Sequence, residues 1–307
     1  MTHPLDSSSP RQTKSFLQNL LAEHRLEAKA KMGQNFLIDL NLLDLIIRTA
    51  DLGPDDLVLE VGTGTGSLTA RLAEQAGAVI SVELDSAFHH VAKQILGPRP
   101  NLTLLHADIL KSKNEMQPIV METIAKVRQE RGLKNFKLVA NLPYVVATPV
   151  ICNLLINLDD IERMVVMVQW EIGEKLTAPM GTSHYSSLGV LVQSVADIEI
   201  IRRLAPSTFW PAPKVDSAIV LIKPSPEKRA LVGDVRNFRI FLRDLYVHRR
   251  KNLRSALVGW PIAELRRSKA EVDALLESID LPPDVRAEDL SVEEHLDLCR
   301  VFSPTKS

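Results

Sequence analysis

The chain has 307 residues, enough for about two domains. Hydrophobic residues make up 45% and charged residues 24%, the balance of an ordinary globular protein. The net charge of −1 argues by itself against a nucleic-acid partner, and no run of about 18 apolar residues offers a membrane span.

Residues 1–25 read as a flexible, polar N-terminal tail that lacks an apolar signal core, on a cytoplasmic protein. Helical character begins near Phe16. Lys31-Met32-Gly33-Gln34-Asn35-Phe36-Leu37-Ile38-Asp39 reads as a loop that leads into a helix, with Asp39 or Asn41 as N-cap. Leu42, Leu43, Ile46 and Ile47 then follow at helical spacing.

Leu57-Val58-Leu59-Glu60-Val61 is a short apolar run, the mark of a buried parallel strand. It flows into Gly62-Thr63-Gly64-Thr65-Gly66 and a periodic helix, the order in which a nucleotide-type βαβ unit begins. The spacing is G-x-G-x-G rather than the dinucleotide form G-x-G-x-x-G. A second strand ends at Glu83, placed to accept hydrogen bonds from ribose hydroxyls, and a third ends at Asp108. Three successive strands thus bring an acid or a glycine turn to one carboxyl edge.

Residues 111–134 read as a charged helical crossover. The fourth strand, 136–140, ends in Asn141-Leu142-Pro143-Tyr144. Asn141 offers a neutral carbonyl acceptor. Pro143 keeps Leu142 out of the helical region, so the Leu142 carbonyl is free of a helix partner. Tyr144 offers a π-face on which a base can stack. A fifth strand over 163–169 and two more over 198–204 and 217–222 complete a seven-strand pattern. Phe209 and Trp210 sit between prolines in a stiff loop, with Trp210 expected to pack on the core.

Lys223-Pro224-Ser225-Pro226 marks a domain boundary. Residues 26–224 are then the catalytic domain and 225–307 a helical domain. From Lys228 to Arg254 there are nine bases against two acids, and from Glu271 to Asp297 ten acids against one base. The low net charge therefore hides a basic patch. Arg236, Arg239, Arg243, Arg250 and Arg254 fall within about 60° of one another if one helix spans them. Phe238, Phe241, Leu242, Leu245 and Leu253 face the other way. Cys152 and Cys299 are too few and too far apart for a disulfide framework or metal site, and no metal is expected.

The strand ends admit a nicotinamide cofactor or S-adenosylmethionine. The glycine spacing and the Asn141 loop favour the second. The chain resembles the ribosomal RNA small-subunit adenine N6,N6-dimethyltransferase family. The resemblance rests on Gly33-Gln34-Asn35-Phe36-Leu37, Glu60 to Gly66, Glu83-Leu84-Asp85, Asp108, Asn141 to Tyr144, Phe209 to Ser217 and His248-Arg249-Arg250-Lys251. It implies a Rossmann-like α/β fold with a small C-terminal helical domain. It also implies S-adenosylmethionine as methyl donor and dimethylation of two adjacent adenosines near the 3′ end of 16S rRNA. The partner is the small-subunit precursor, there is no membrane, and a monomer is expected.

By the same resemblance, Asn35 and Leu37 border the cofactor, Gly62 lies at its methionine end, Glu83 takes the ribose and Asp108 the adenine amine. Asn141 and the Leu142 carbonyl accept the target amine, and Tyr144 and Phe209 sandwich the base. Arg243, Arg249, Arg250, Lys251 and Arg254 face RNA. The chain departs from the usual family residues at Thr63, Trp170 and Tyr185-Ser186-Ser187-Leu188. The alternatives are a large-subunit rRNA adenine methyltransferase of the macrolide-resistance type and a non-catalytic RNA-binding assembly factor.

Overall fold

A computed structural model describes residues 12–28, 33–258 and 267–303. The chain opens with α1 (Lys14–Glu23), a two-residue strand β1 (Phe36–Leu37) and α2 (Leu40–Ala50). Next come β2 (Asp56–Val61), α3 (Ser67–Gln75), β3 (Ala78–Glu83), α4 (Ser86–Leu96) and β4 (Leu102–His106). A small hairpin, β5 (Leu110–Ser112) and β6 (Glu115–Met116), precedes α5 (Pro118–Arg131) and β7 (Asn135–Asn141). The chain continues through α6 (Tyr144–Asn157), β8 (Ile161–Gln169), α7 (Trp170–Thr177), α8 (Ser187–Gln193), β9 (Ala196–Leu204), β10 (Phe209–Trp210) and β11 (Ser217–Pro224). Among the described residues five helices follow: α9 (Pro226–Val232), α10 (Val235–Val247), α11 (Leu253–Leu257), α12 (Lys269–Glu277) and α13 (Val292–Phe302).

Seven strands form one sheet in the order β4-β3-β2-β7-β8-β11-β9. The pairs β3/β4, β2/β3, β2/β7 and β7/β8 are parallel, and β11 runs antiparallel to β8. Every residue of β2 and β3 is buried, which explains why these strands read as unbroken apolar runs. Chain order reverses between β2 and β7, so a crevice opens outside the carboxyl ends of those strands. At the opposite end the buried Asp56 carboxylate meets Lys137 Nζ at 2.8 Å. Burial alone would raise the Asp56 pKa, but hydrogen bonds from Lys137, Asn135 and Gly53 outweigh it and hold the carboxyl below its ordinary value.

Two compact units divide the described residues. One runs up to Gly173 and takes in Glu199–Lys223; the other joins Glu174–Ile198 to residues from Pro224 onward. The segment Glu174–Ile198, assigned to the catalytic domain on sequence, thus packs with the helices instead. Its Tyr185 explains why: the ring is 2% exposed and the hydroxyl donates to Leu290 O at 2.9 Å. The Tyr185-Ser186-Ser187-Leu188 segment therefore anchors the helical unit from within. His295, fully buried, stacks on Tyr246 and donates from Nδ1 to Ser291 O at 2.7 Å.

Three readings of the sequence change. The 1–25 tail contains α1, because Leu17, Leu20 and Leu21 bury on one face and Thr13 caps the helix through Phe16 N–H. The crossover over 111–134 is a hairpin and then a shorter helix. The arginine stripe does not lie on one helix, since α10 stops at Val247 and α11 starts at Leu253. Phe238, Phe241, Leu242 and Leu245 are buried on α10, as their spacing predicts, and Leu253 is buried on α11. Among the described residues no helix is long and apolar enough to cross a membrane.

Candidate active site

A cavity of about 360 Å³ lies at the carboxyl edge of β2, β3 and β7. Its lining draws on the Gly33 to Leu37 loop, the glycine loop, Glu83, Asp108, Asn141 and Pro143. The volume suits a ligand of cofactor size.

The glycine loop turns because Gly62, Gly64 and Gly66 hold φ of 85°, 55° and 82°, the left-handed region that glycine enters without steric cost. Gly66 caps α3, whose amide end starts beside the cavity. A Cβ at Gly62 would sit 3.3 Å from Pro143 Cδ, and one at Gly33 would sit 3.4 Å from Pro143 Cα. Pro143 is thus wedged against two loops from distant parts of the chain.

Glu83 ends β3 with both carboxylate oxygens engaged. Oε2 accepts from Gly64 N–H at 2.8 Å and Oε1 from Asp85 N–H at 2.9 Å. Each oxygen keeps a second lone pair for a ligand. Asp108 is exposed, and its Oδ1 accepts from Leu110 N–H at 2.9 Å. Glu60, deeper in the wall, is almost fully buried and accepts from the hydroxyls of Thr69 and Ser81, each at 2.6 Å. Burial, against these two hydrogen bonds and with the help of neighbouring Glu83, pushes its pKa up to about 8.

Asn141 sits at the end of β7, where its side-chain amide donates to Asn35 O at 2.9 Å. That bond commits Nδ2, and Oδ1 has no hydrogen-bond partner among the described residues. Leu142 is buried, with its N–H on Met167 O at 3.2 Å. Its carbonyl accepts nothing among the described residues. Tyr144 opens α6 half-buried, its hydroxyl 2.7 Å from Ser217 Oγ. Burial raises the Tyr144 pKa against that hydrogen bond, so the phenol stays neutral. Val145 beside it is 77% exposed at the cavity lip.

The cavity lining thus brings together Asn35, Leu37, Gly62, Glu83, Asp108 and Asn141, while Leu142, Tyr144 and Phe209 lie outside it. Phe209 departs most from expectation. It pairs with Leu37 across the β1/β10 ribbon, is 3% exposed and belongs to the core around Leu43 and Met167. Trp210, expected in the core, is the half-buried partner. The ribbon explains the exchange: successive residues of a strand face opposite sides, so only one of the two aromatics can face the core. Sequence reading missed Gln12, which lines the cavity at 2% exposure. Gln12 Nε2 donates to Thr65 O at 2.9 Å and its Oε1 accepts from the Thr65 hydroxyl. Only the helix signature just after it, Thr13 ahead of Phe16 and Leu17, pointed to an ordered segment there.

In the helical unit, 248–251 form an exposed turn between α10 and α11 that carries Arg249, Arg250 and Lys251. No ion pair of these three is found among the described residues. Arg243 instead pairs with Asp244 at 2.7 Å, and Arg254 with Asp273 at 2.5 Å. The acidic α12 thus neutralises one arginine expected to face a phosphate.

The sequence profile described as Ribosomal RNA adenine dimethylase matches residues 25–302. The chain is 35% identical to the Ribosomal RNA small subunit methyltransferase A of Pediococcus pentosaceus, over 97% of this chain and 96% of that protein. It is 32% identical to the protein of the same name from Geobacillus kaustophilus, over 97% and 98% of the two chains. Among solved structures, a dimethyladenosine transferase from Plasmodium falciparum superposes with a TM-score of 0.69 at 25% identity, covering 86% of this chain and 96% of that one. The 23S rRNA methyltransferase ErmE shares the fold, with a TM-score of 0.60 at 24% identity, covering 87% and 99%.

Proposed function

The chain belongs to the ribosomal RNA adenine dimethylase family, and from that premise we propose that it is a methyltransferase for small-subunit rRNA. Its substrate is N6 of adenosine, and it places two methyl groups on each of two adjacent adenosines near the 3′ end of 16S rRNA. It works in the cytoplasm as a monomer on the small-subunit precursor.

The observation that carries this reading is the Asn141 amide. Its N–H side is tied to Asn35, and its carbonyl is left over on a residue that lines a cofactor-sized cavity. An exocyclic amine offers two N–H groups, and Asn141 Oδ1 and the Leu142 carbonyl are the two acceptors this reading assigns to them.

The cavity fits S-adenosylmethionine by the chemistry of its donors. Glu83 at the end of β3 suits ribose hydroxyls. Asp108 at the end of β4 suits an adenine amine. Gly62, with no Cβ, lets the backbone approach the methionine end, which Asn35 and Leu37 border. The group supplies a methyl on a sulfonium, which is a good leaving group.

The protein's own part is positioning. An adenine N6 is a poor nucleophile because its lone pair is delocalised into the ring. In the first transfer two acceptors on its N–H groups turn that lone pair out of the ring and stabilise the charge that develops on nitrogen; the thioether leaves, the proton passes to solvent, and the one N–H that remains uses one acceptor in the second transfer. Tyr144 holds the base flat, and its phenol is fixed by Ser217. No strong base is required before transfer, and alignment supplies much of the rate. Phe209 is a second wall only if its ring leaves the core, so this reading rests the base on Tyr144 alone. An extruded base fits a structured RNA target, and Arg249, Arg250 and Lys251 are the phosphate contacts.

The test is incubation with labelled S-adenosylmethionine and undermethylated small subunits, large subunits, free rRNA or DNA. Label is expected in small-subunit RNA as N6,N6-dimethyladenosine. Label confined to large-subunit RNA would overturn the reading.

A further inference from the structure

We propose that Trp170 and Arg203 form a stacking platform for the nucleotide next to the target adenosine. The inference rests on the rRNA-adenine reading above and adds a second base subsite to it.

The Arg203 guanidinium carbon lies 4.4 Å from the centroid of the Trp170 ring. Nε and Nη2 of Arg203 both reach Asp216 Oδ2, at 2.7 and 2.6 Å. The Trp170 N–H donates to Asp216 O at 2.9 Å. One acidic residue thus fixes both the ring's backbone and the cation over it. A surface ion pair of this kind contributes little to stability. It does hold a flat guanidinium in one orientation. One face is covered by Trp170 and one edge by Asp216, while the side chain as a whole stays 58% exposed. A planar cation with an open face is a surface on which an unpaired RNA base stacks. Arg202 and Lys214 are exposed nearby in sequence and add positive charge for the flanking phosphates.

Placement ties this platform to the amine site. Asp216 precedes Ser217, whose hydroxyl holds the Tyr144 phenol at 2.7 Å. Ser217 is the register partner of Gln169, the residue before Trp170. One cross-strand step and one chain step separate Trp170 from Ser217, about 9 Å at most between Cα atoms. An enzyme that acts on two adjacent bases needs somewhere to hold the one not being methylated, and the platform shares the Asp216-Ser217 step with the Tyr144 contact.

The experiment measures methyl transfer to undermethylated small subunits over a range of subunit concentrations, together with calorimetric cofactor affinity. Trp170→Ala and Arg203→Ala are expected to raise KM for the subunit about tenfold, with cofactor Kd unchanged. Trp170→Phe keeps a flat ring under the guanidinium and is expected to recover most of the loss. Subunits with uridine in place of the neighbouring adenosine should raise the wild-type KM and leave that of Trp170→Ala unmoved. A Trp170→Ala KM within twofold of wild type overturns the platform, as does equal sensitivity of both enzymes to the uridine. If thermal melting shows Trp170→Ala to be unfolded, Arg203→Ala carries the same comparison. If the wild type methylates no small-subunit RNA, the functional reading itself falls and takes the platform with it.

Discussion

Asn141 and Asn35, 106 residues apart, are joined by a single hydrogen bond of 2.9 Å from side-chain amide to backbone carbonyl. It fixes which end of the Asn141 amide is left for the substrate. Asn141→Ala removes an acceptor used in the transition state and should lower kcat by about 10²–10³. Cofactor affinity should stay within a few fold by calorimetry. Near-normal turnover would end the amine-acceptor role.

Gln12 reaches the cavity from outside the sheet and makes two hydrogen bonds to Thr65. Gln12→Ala should weaken cofactor binding by about 1–2 kcal/mol, the worth of those bonds in a buried setting. Thr65→Val should cost a similar amount, and the double variant little more, because both remove the same pair. Strictly additive losses in a calorimetric cycle would contradict a shared contact.

Phe209 and Tyr144 should separate. Phe209→Leu keeps apolar volume in the core and should change kcat/KM for RNA by less than about threefold, at a stability cost near 1 kcal/mol. Tyr144→Ala should lower kcat/KM at least tenfold through lost stacking. A large kinetic loss in Phe209→Leu with an unchanged melting temperature would show that the ring leaves the core to meet the base.

His295 makes the helical unit acid-sensitive. Burial, opposed by its hydrogen bonds and the Glu294 charge, lowers its pKa from 6.5 to about 4. Below pH 6.5 the unfolded chain takes up a proton that the folded one refuses, so stability present above 6.5 is lost as pH falls toward 4. The total is about 3 kcal/mol. Hydrogen exchange of α10 and α13 amides should show opening free energies that fall between pH 7 and 5, with a shallower fall in His295→Gln. Parallel curves for the two proteins would assign the loss elsewhere.

Neutralising Arg249, Arg250 and Lys251 together should weaken RNA binding. It should also reduce the slope of log K against log salt by about two, for the two or three phosphate contacts removed. Arg254→Ala should change the slope little, because Asp273 already holds that charge. An unaltered slope in the triple variant would make the turn a solvated surface.

The strand ends were legible because burial on both faces writes itself as apolar runs, and the ligand edge follows from where those runs stop. Gly62, Glu83, Asp108 and Asn141 were therefore found from sequence and do line one cavity. Phe209 was misplaced because a two-residue ribbon decides which neighbouring aromatic faces inward, and alternation alone does not say which. Gln12 was missed because its partner lies 53 residues away and glutamine carries no periodic signal. Arg254 was overread because its neutralising acid belongs to a helix that starts 15 residues later in the chain.

Pro143 leaves little slack between its own loop and the two loops it touches. A methyl group added at Gly33 or Gly62 would press on the same ring from opposite parts of the chain. Displacements of a few tenths of an ångström there would be passed to Asn141 and Tyr144 on either side of the proline, and transfer is sensitive to position on that scale. The cofactor loop and the base-holding loop are therefore calibrated against a single rigid ring. Variation at any one of the three positions is felt at the reacting atoms as well as in the cavity that the same residues line.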